Sequence, residues 1–334
     1  MPEGFTLVLL VVLGLAIAFD YINGFHDTAN AIATSVSTRA LKPAWAIAMS
    51  AAANFLGALT GTEVAETVGA GLIDTNVVEG QTVIAAALVG AIAWNLITWW
   101  LAIPSSSSHA LIGGLLGAAL ISAGVGSWQI DGVVGKVLVP LFGSPIVGFT
   151  IGLLLMLLIF NVFRRAHPGR LNAVFRRLQV VSAAYMAFSH GSNDAQKTMG
   201  IMTLALVTAG VLDEFRVPLW VILVAATAIS LGTAAGGWRI IKTMGTKVVK
   251  LDPVHGFAAE TTAATVIFGA SQLGMPVSTT HVISSAIMGV GSSDRMKTVR
   301  WGVARSIATA WVLTLPASGL MAAAAYLVLR PILG

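Results

Sequence analysis

Hydrophobic runs separated by short polar breaks fill the chain from end to end. The main ones lie at about 5–24, 43–61, 80–103, 104–125, 133–163, 180–210, 217–237, 255–275, 276–291 and 302–330. Most approach the roughly 20 residues that an α-helix needs to cross the hydrocarbon core of a bilayer. Ten-residue stretches of alternating apolar and polar positions are absent, which argues against a membrane β-barrel. Several runs are interrupted by Gly, Pro or polar residues, as broken or re-entrant helices are. The pattern predicts an all-α polytopic membrane protein with about 10–12 transmembrane or re-entrant helices. The first run, MPEGFTLVLLVVLGLAIAF, carries Glu3 instead of a basic flank and no clear small-residue cleavage site, so it is expected to be a retained span rather than a signal peptide.

Composition strengthens this picture. The 334 residues are 56% hydrophobic and only 10% charged, against about 25% charged for a soluble domain. Thirty-five glycines favour close helix packing. With no cysteine, disulfides and thiolate metal sites are excluded.

The charges are not scattered. Fifteen of the 19 Lys and Arg residues fall in four connections: Arg39 and Lys42; Arg164, Arg165, Arg170, Arg176 and Arg177; Arg239, Lys242, Lys247 and Lys250; Arg295, Lys297, Arg300 and Arg305. Acidic residues gather elsewhere, at Glu63, Glu66, Asp74 and Glu79 and at Asp213 and Glu214. The positive-inside rule places the basic connections in the cytoplasm and both termini outside. Topology and lipid headgroup contact account for these basic residues without a ligand.

Two polar clusters interrupt the apolar background. GFHDTAN begins at Gly24 and GSNDAQK at Gly191, 167 positions later. A second pair, PSSSSHA from Pro104 and PVSTTHV from Pro276, is 172 positions apart. A weaker third pair is Thr67-Val68-Gly69 with Thr243-Met244-Gly245. Around that third pair the first copy carries Glu63 and Glu66, and the second carries Arg239 and Lys242. Copies of opposite charge at one structural position are expected of repeats inserted with opposite topology. The chain is thus expected to hold a first inverted repeat over 1–163, a basic cytoplasmic linker over 164–177 and a second repeat over 178–334. That design points to solute transport with a site at the repeat interface, although duplicated channels share it.

Asp20, His26, Asp27, His109, Asp194, Lys197, Glu260 and His281 fall at membrane depth, with His190 at a boundary. Each must be paired or line a wet cavity. Local helix-to-helix hydrogen bonds suffice for any one of them. Asp27 and Asp194 stand apart because they occupy the same repeat position. The Ser106-Ser107-Ser108 and Ser278-Thr279-Thr280 runs follow a proline and have two readings. They can simply cap helices, or the hydroxyls and free amides of two half-helices can enclose an anion. The symmetric pair favours the second. A carboxylate near an anion is repulsive unless the anion carries a proton. Inorganic phosphate does at neutral pH, and sulfate does not. The added negative charge also suits a cation, for which Asn30, Asn193, Glu260 and carbonyls at a helix break are oxygen ligands.

NGFHDTANAIATSVSTRAL, FSHGSNDAQKTMG, GFAAETTAATVI and PVSTTHVISSAIMGVG resemble the PiT inorganic phosphate transporters, over about Leu7 to Leu329. The resemblance implies an inverted-repeat helical fold and phosphate symport with a cation. It implies phosphate contacts from Asp27, Asp194, Ser107, Ser108, Thr279 and Thr280, and Glu260 as a cation ligand. His26 stands where sodium-coupled members tend to have Asn, and Asn54 where some are acidic. A histidine titrates near physiological pH and offers no oxygen to sodium. These departures resemble the bacterial low-affinity, proton-coupled branch, with H⁺ or Na⁺ as coupling cation, His26, Asn30, Asn193 and Glu260 as coupling residues, and a divalent metal as a companion of phosphate. Compact sulfate permeases of the same fold and a sodium-coupled phosphate symporter remain the alternatives. No enzyme activity, resident cofactor, assigned metal-ligand set or nucleic-acid partner is expected. The protein is expected in the plasma membrane, among lipid. Gly/Ala surfaces fit a homodimer and equally fit internal packing, and some relatives work with a PhoU-like cytoplasmic regulator that basic loops could dock.

Overall fold

The computed structural model describes residues 6–74, 80–293 and 296–333. Glu3, Glu79 and Arg295 lie outside them. Among the described residues the chain is helical, and its one isolated β-bridge joins Ile73 and Trp128. Twelve helices follow in order: α1 (Leu7–Ser37), α2 (Pro43–Ala58), α3 (Glu63–Ala70), α4 (Gly80–Trp100), α5 (Ser107–Ala123), α6 (Ile130–Val162), α7 (Pro168–Thr208), α8 (Leu219–Ala235), α9 (Trp238–Lys242), α10 (Pro253–Gln272), α11 (Thr279–Ser292) and α12 (Trp301–Leu333). α6 contains a π-helical turn over Val133–Leu138, and α9 runs on into another over Thr243–Lys247. By length and apolar composition α1, α4, α6 and α12 can each cross a membrane, and α2–α3 and α8–α9 form bent pairs of 73° and 64°. The protein is a multi-pass membrane protein of the expected class.

The structure adds two details to the sequence pattern. The polar motifs do not break their helices: α1 is continuous through GFHDTAN and α7 through GSNDAQK. Each instead carries a polar stripe at helical spacing, Asp20, Asn23, Asp27, Asn30 and Thr34 on α1 and Gln179, His190, Asp194 and Lys197 on α7, all buried. Polar residues turned inward and Leu, Ile and Val turned outward are what a lipid solvent selects. The basic stretch 164–177 is partly helical. Helix α7 starts at Pro168, a favourable first-turn position for proline, so Arg170, Arg176 and Arg177 belong to the helix.

The breaks lie in two hairpins. Thr98 at the end of α4 meets His26, halfway along α1, so the α4–α5 hairpin turns at the level of that motif. The α10–α11 hairpin turns beside Lys197, where the Val277 carbonyl accepts a hydrogen bond from the ammonium. Both tips need left-handed backbone at the same repeat position. The second copy has Gly274 (φ +63°) there, and the first has Ala102 (φ +56°). Ser106 and Ser278 then cap α5 and α11 by accepting from the amides of His109 and His281.

The halves repeat in their contacts. α1 packs on α8 as α7 packs on α2, and α5 packs on α12 as α11 packs on α6. Gly24 abuts the Ile229 carbonyl and Gly191 the Asn54 carbonyl, while Gly57 abuts Phe188 and Gly232 abuts Tyr21. A β-carbon at any of the four would overlap that backbone, so glycine sets the helix approach. The copies are inverted. The C-terminal end of α1 meets the N-terminal part of α7, where Thr38 donates to Gln179 at 2.7 Å, and their centres meet at Asp27 and Asp194. Equivalent helices therefore cross antiparallel.

Candidate substrate site between the hairpin tips

The stripes of α1 and α7 face each other where the two hairpin tips converge. Ligand atoms of Asp27, His190 and Asp194 lie within 4.8 Å of one another. Asp194 is paired with Lys197, lies 3.0 Å from His190 Nε2, and accepts from the Thr279 hydroxyl at 3.1 Å. Lys197 also reaches Ser108 Oγ at 2.5 Å and the Val277 carbonyl at 3.0 Å. Asp27 contacts His26 Nδ1 at 2.6 Å, and the other ring nitrogen of His26 faces Thr98 at 3.2 Å and Ser105 at 3.4 Å. Asn30 donates to Thr280 at 2.9 Å. Every one of these side chains is buried.

The sequence-predicted residues separate into three groups. Asp27, Asp194, Ser108, Thr279, Thr280, His26 and Asn30 are linked around one centre, and Ser107, next to Ser108 at the start of α5, has a buried hydroxyl without a hydrogen-bond partner among the described residues. Ser106 and Ser278 belong to the tips, but their side-chain oxygens serve as N-caps. Asn193 and Glu260 point elsewhere. Asn193 donates to Ser271 at 2.9 Å and to the Met275 carbonyl at 3.1 Å, bracing the end of α10. Glu260 forms a separate buried cluster: Thr34 and Gln179 donate to Oε1, the latter at 3.2 Å, and Ser182 donates to Oε2 at 2.5 Å.

Several partners were not visible from pattern alone. Thr98, Ser105, Gln179 and Ser182 are ordinary helix or loop residues in the sequence. Asn54 holds His190 in place, lying 3.0 Å from its Nδ1 while donating to Thr233 at 2.8 Å. Lys197 did carry a signal. It lies 167 positions after Asn30, the same spacing that relates Asp194 to Asp27.

Two half-helix N-termini and two opposed carboxylates, enclosed between inverted repeats, make up the build of a membrane transporter for a small polar solute. The chain belongs to the phosphate transporter family, whose model matches residues 23–322. It is 51% identical to a probable low-affinity inorganic phosphate transporter of Bacillus subtilis, over 98% of each chain. A protein of the same description from Rhizobium meliloti is 50% identical over 96% of each. A solved structure of a sodium-dependent phosphate transporter superimposes with a TM-score of 0.85, covering 98% of this chain and all of that one at 24% identity. At that identity the likeness shows the fold. Phosphate is the solute that this family carries.

Proposed function

We propose that the protein imports inorganic phosphate across the cytoplasmic membrane by symport with a cation, H⁺ or Na⁺, with phosphate held between Asp27 and Asp194. The observation that carries the reading is the convergence of these carboxylates with the N-termini of α5 and α11. The free amides and the dipoles of two half-helices favour the phosphate oxygens. The Ser107 hydroxyl, which has no partner among the described residues, donates to one of them. Each aspartate accepts from a P–OH group, a contact that a fully ionised oxyanion cannot make. His26, against Asp27 and next to the α4–α5 tip, exchanges the coupling proton. Phosphate enters when one tip swings away and leaves when the other does, by rocking of one repeat against the other. In this reading the repeats span 1–163 and 178–334, the basic connections face the cytoplasm and the termini face outward.

Uptake of labelled phosphate into proteoliposomes under an imposed pH or sodium gradient tests this. Accumulation above equilibrium under one gradient is expected, and a large excess of sulfate should not reduce it. Absence of uptake under both gradients would refute the reading. Competition by sulfate at equal affinity would refute the role given to the aspartates.

A further inference from the structure

The internal symmetry makes the site its own control. Positions 167 apart on α1 and α7, and 172 apart on the two tips, occupy equivalent places. Asn30 is therefore the counterpart of Lys197, and Thr280 that of Ser108. The structure repeats the contact. Asn30 Nδ2 donates to Thr280 Oγ1 at 2.9 Å, and Lys197 Nζ donates to Ser108 Oγ at 2.5 Å. One half thus places a neutral amide where the other places an ammonium ion.

The ammonium sits among a carboxylate oxygen of Asp194, the hydroxyl of Ser108 and the backbone carbonyl of Val277 at a hairpin tip. Carboxylate, hydroxyl and carbonyl oxygens at a helix discontinuity are the set that binds a hard cation in transporters. A buried lysine chain that ends in such a cage fills it with one fixed positive charge. A free cation would have to displace that charge, against Coulomb repulsion in a poorly screened interior. In the first half the matching cage has Asn30 and Thr280, with His26 on Asp27, and no lysine or arginine among the described residues fills it.

We propose that Lys197 is a tethered cation that replaces a mobile coupling cation in the second half, so that only the first half, at Asp27 and His26, takes a mobile cation or proton during transport. This rests on the phosphate reading above and deepens it. It makes Lys197 a residue that sets ion coupling as well as the partner of Asp194.

The test compares wild type with Lys197→Asn, which restores the residue of the other half, and Lys197→Met, which supplies neither charge nor oxygen. Labelled phosphate uptake and phosphate binding by the detergent-solubilised protein are measured in sodium, lithium and potassium chloride against N-methylglucamine chloride. In Lys197→Asn, one of these cations should raise uptake or binding about tenfold more than it does in wild type, because an emptied cage next to Asp194 needs a counter-charge. Lys197→Met should gain little. A Lys197→Asn protein whose uptake or binding shows the wild-type cation dependence overturns the inference. So does one that no cation restores while its thermal unfolding stays cooperative, since a merely structural pairing predicts that result. Wild-type protein that neither binds nor carries phosphate would defeat the reading beneath. A wild type that carries phosphate beside a Lys197→Asn variant of unchanged cation dependence defeats this inference alone.

Discussion

Replacing Asp194 with Asn removes one partner from a fully buried ion pair and keeps the shape. Lys197 then loses its carboxylate partner and keeps, among the described residues, the Ser108 hydroxyl and the Val277 carbonyl. Breaking such a pair from one side costs about 3–5 kcal/mol. The remaining oxygens, with the amide oxygen of the new Asn, put the expected loss near the lower figure, about 3 kcal/mol. In a chain of this size that corresponds to a fall of about 5 °C in apparent Tm. Asp27 presents a different case. Its contact is with the His26 ring and not with an ammonium, so Asp27→Asn strands no lysine charge and should cost about 1 kcal/mol. Both variants should lose phosphate uptake. The double variant Asp194→Asn with Lys197→Met removes the stranded charge and should recover most of the stability without recovering transport. The chain has nine tryptophans and no cysteine, so intrinsic fluorescence melts follow unfolding without a thiol dye. If Asp194→Asn melts with the wild type, or melts low and is not rescued by Lys197→Met, the pair is not the energetic centre inferred here. Wild-type uptake in either aspartate variant would remove the carboxylates from the substrate site.

Four further outcomes are expected. Ala102→Gly should raise stability by about 1 kcal/mol by relieving left-handed backbone in a non-glycine residue, and Gly274→Ala should lower it; fluorescence melts read both. Ser106→Ala and Ser278→Ala each lose an N-cap and about 1 kcal/mol with little change in phosphate KM. Ser107→Ala should melt like the wild type but raise KM about tenfold, as loss of one hydrogen bond to a charged group does. Glu260→Gln turns an amide donor toward a cluster whose Thr34, Gln179 and Ser182 groups already donate, so it should cost about 1–3 kcal/mol, and a melt at the wild-type temperature would contradict that cluster.

Much of the fold was legible because lipid imposes a simple rule: a long apolar run is a helix. The pairing of Gly24 with Gly191, and of Pro104 with Pro276, was legible because duplicated segments keep their spacing. The continuity of α1 and α7 was not. A polar cluster in an apolar run reads as a break, but three residues of each motif sit one helical turn or two apart on one buried face. The extra length of α7 was also hidden, since Arg170 to Arg177 read as a cytoplasmic linker although arginine and leucine are good helix formers. For the site, the sequence points to the right tips but not to the direction of each side chain. Ser106 and Ser107 are neighbours with different roles because the first non-helical residue alone can cap. Asn193 follows the same rule. It adjoins Asp194, and adjacent helical positions point about 100° apart, so it meets α10 while Asp194 meets Lys197.

The symmetry carries a further consequence for coupling. If each half had kept the same residues, an alternating cycle would treat both carboxylates alike, and any cation bound by one would be bound by the other. The halves agree at Asp27 and Asp194, at the hydroxyls of Ser108 and Thr280, and at the glycines that set the helix approach. They disagree at His26 with Asn193, at Asn23 with His190, and at Asn30 with Lys197. All three differences change what surrounds a carboxylate. Around Asp194 they place a permanent charge and a histidine held by Asn54. Around Asp27 they leave a histidine whose other nitrogen faces the hydroxyls of the α4–α5 tip. A charge fixed to Lys197 cannot enter or leave with substrate, whereas in the proposed cycle a mobile cation or proton at Asp27 and His26 does. On the proposed reading, the geometry that holds the anion is shared by the two repeats, and the means of driving it belongs to one.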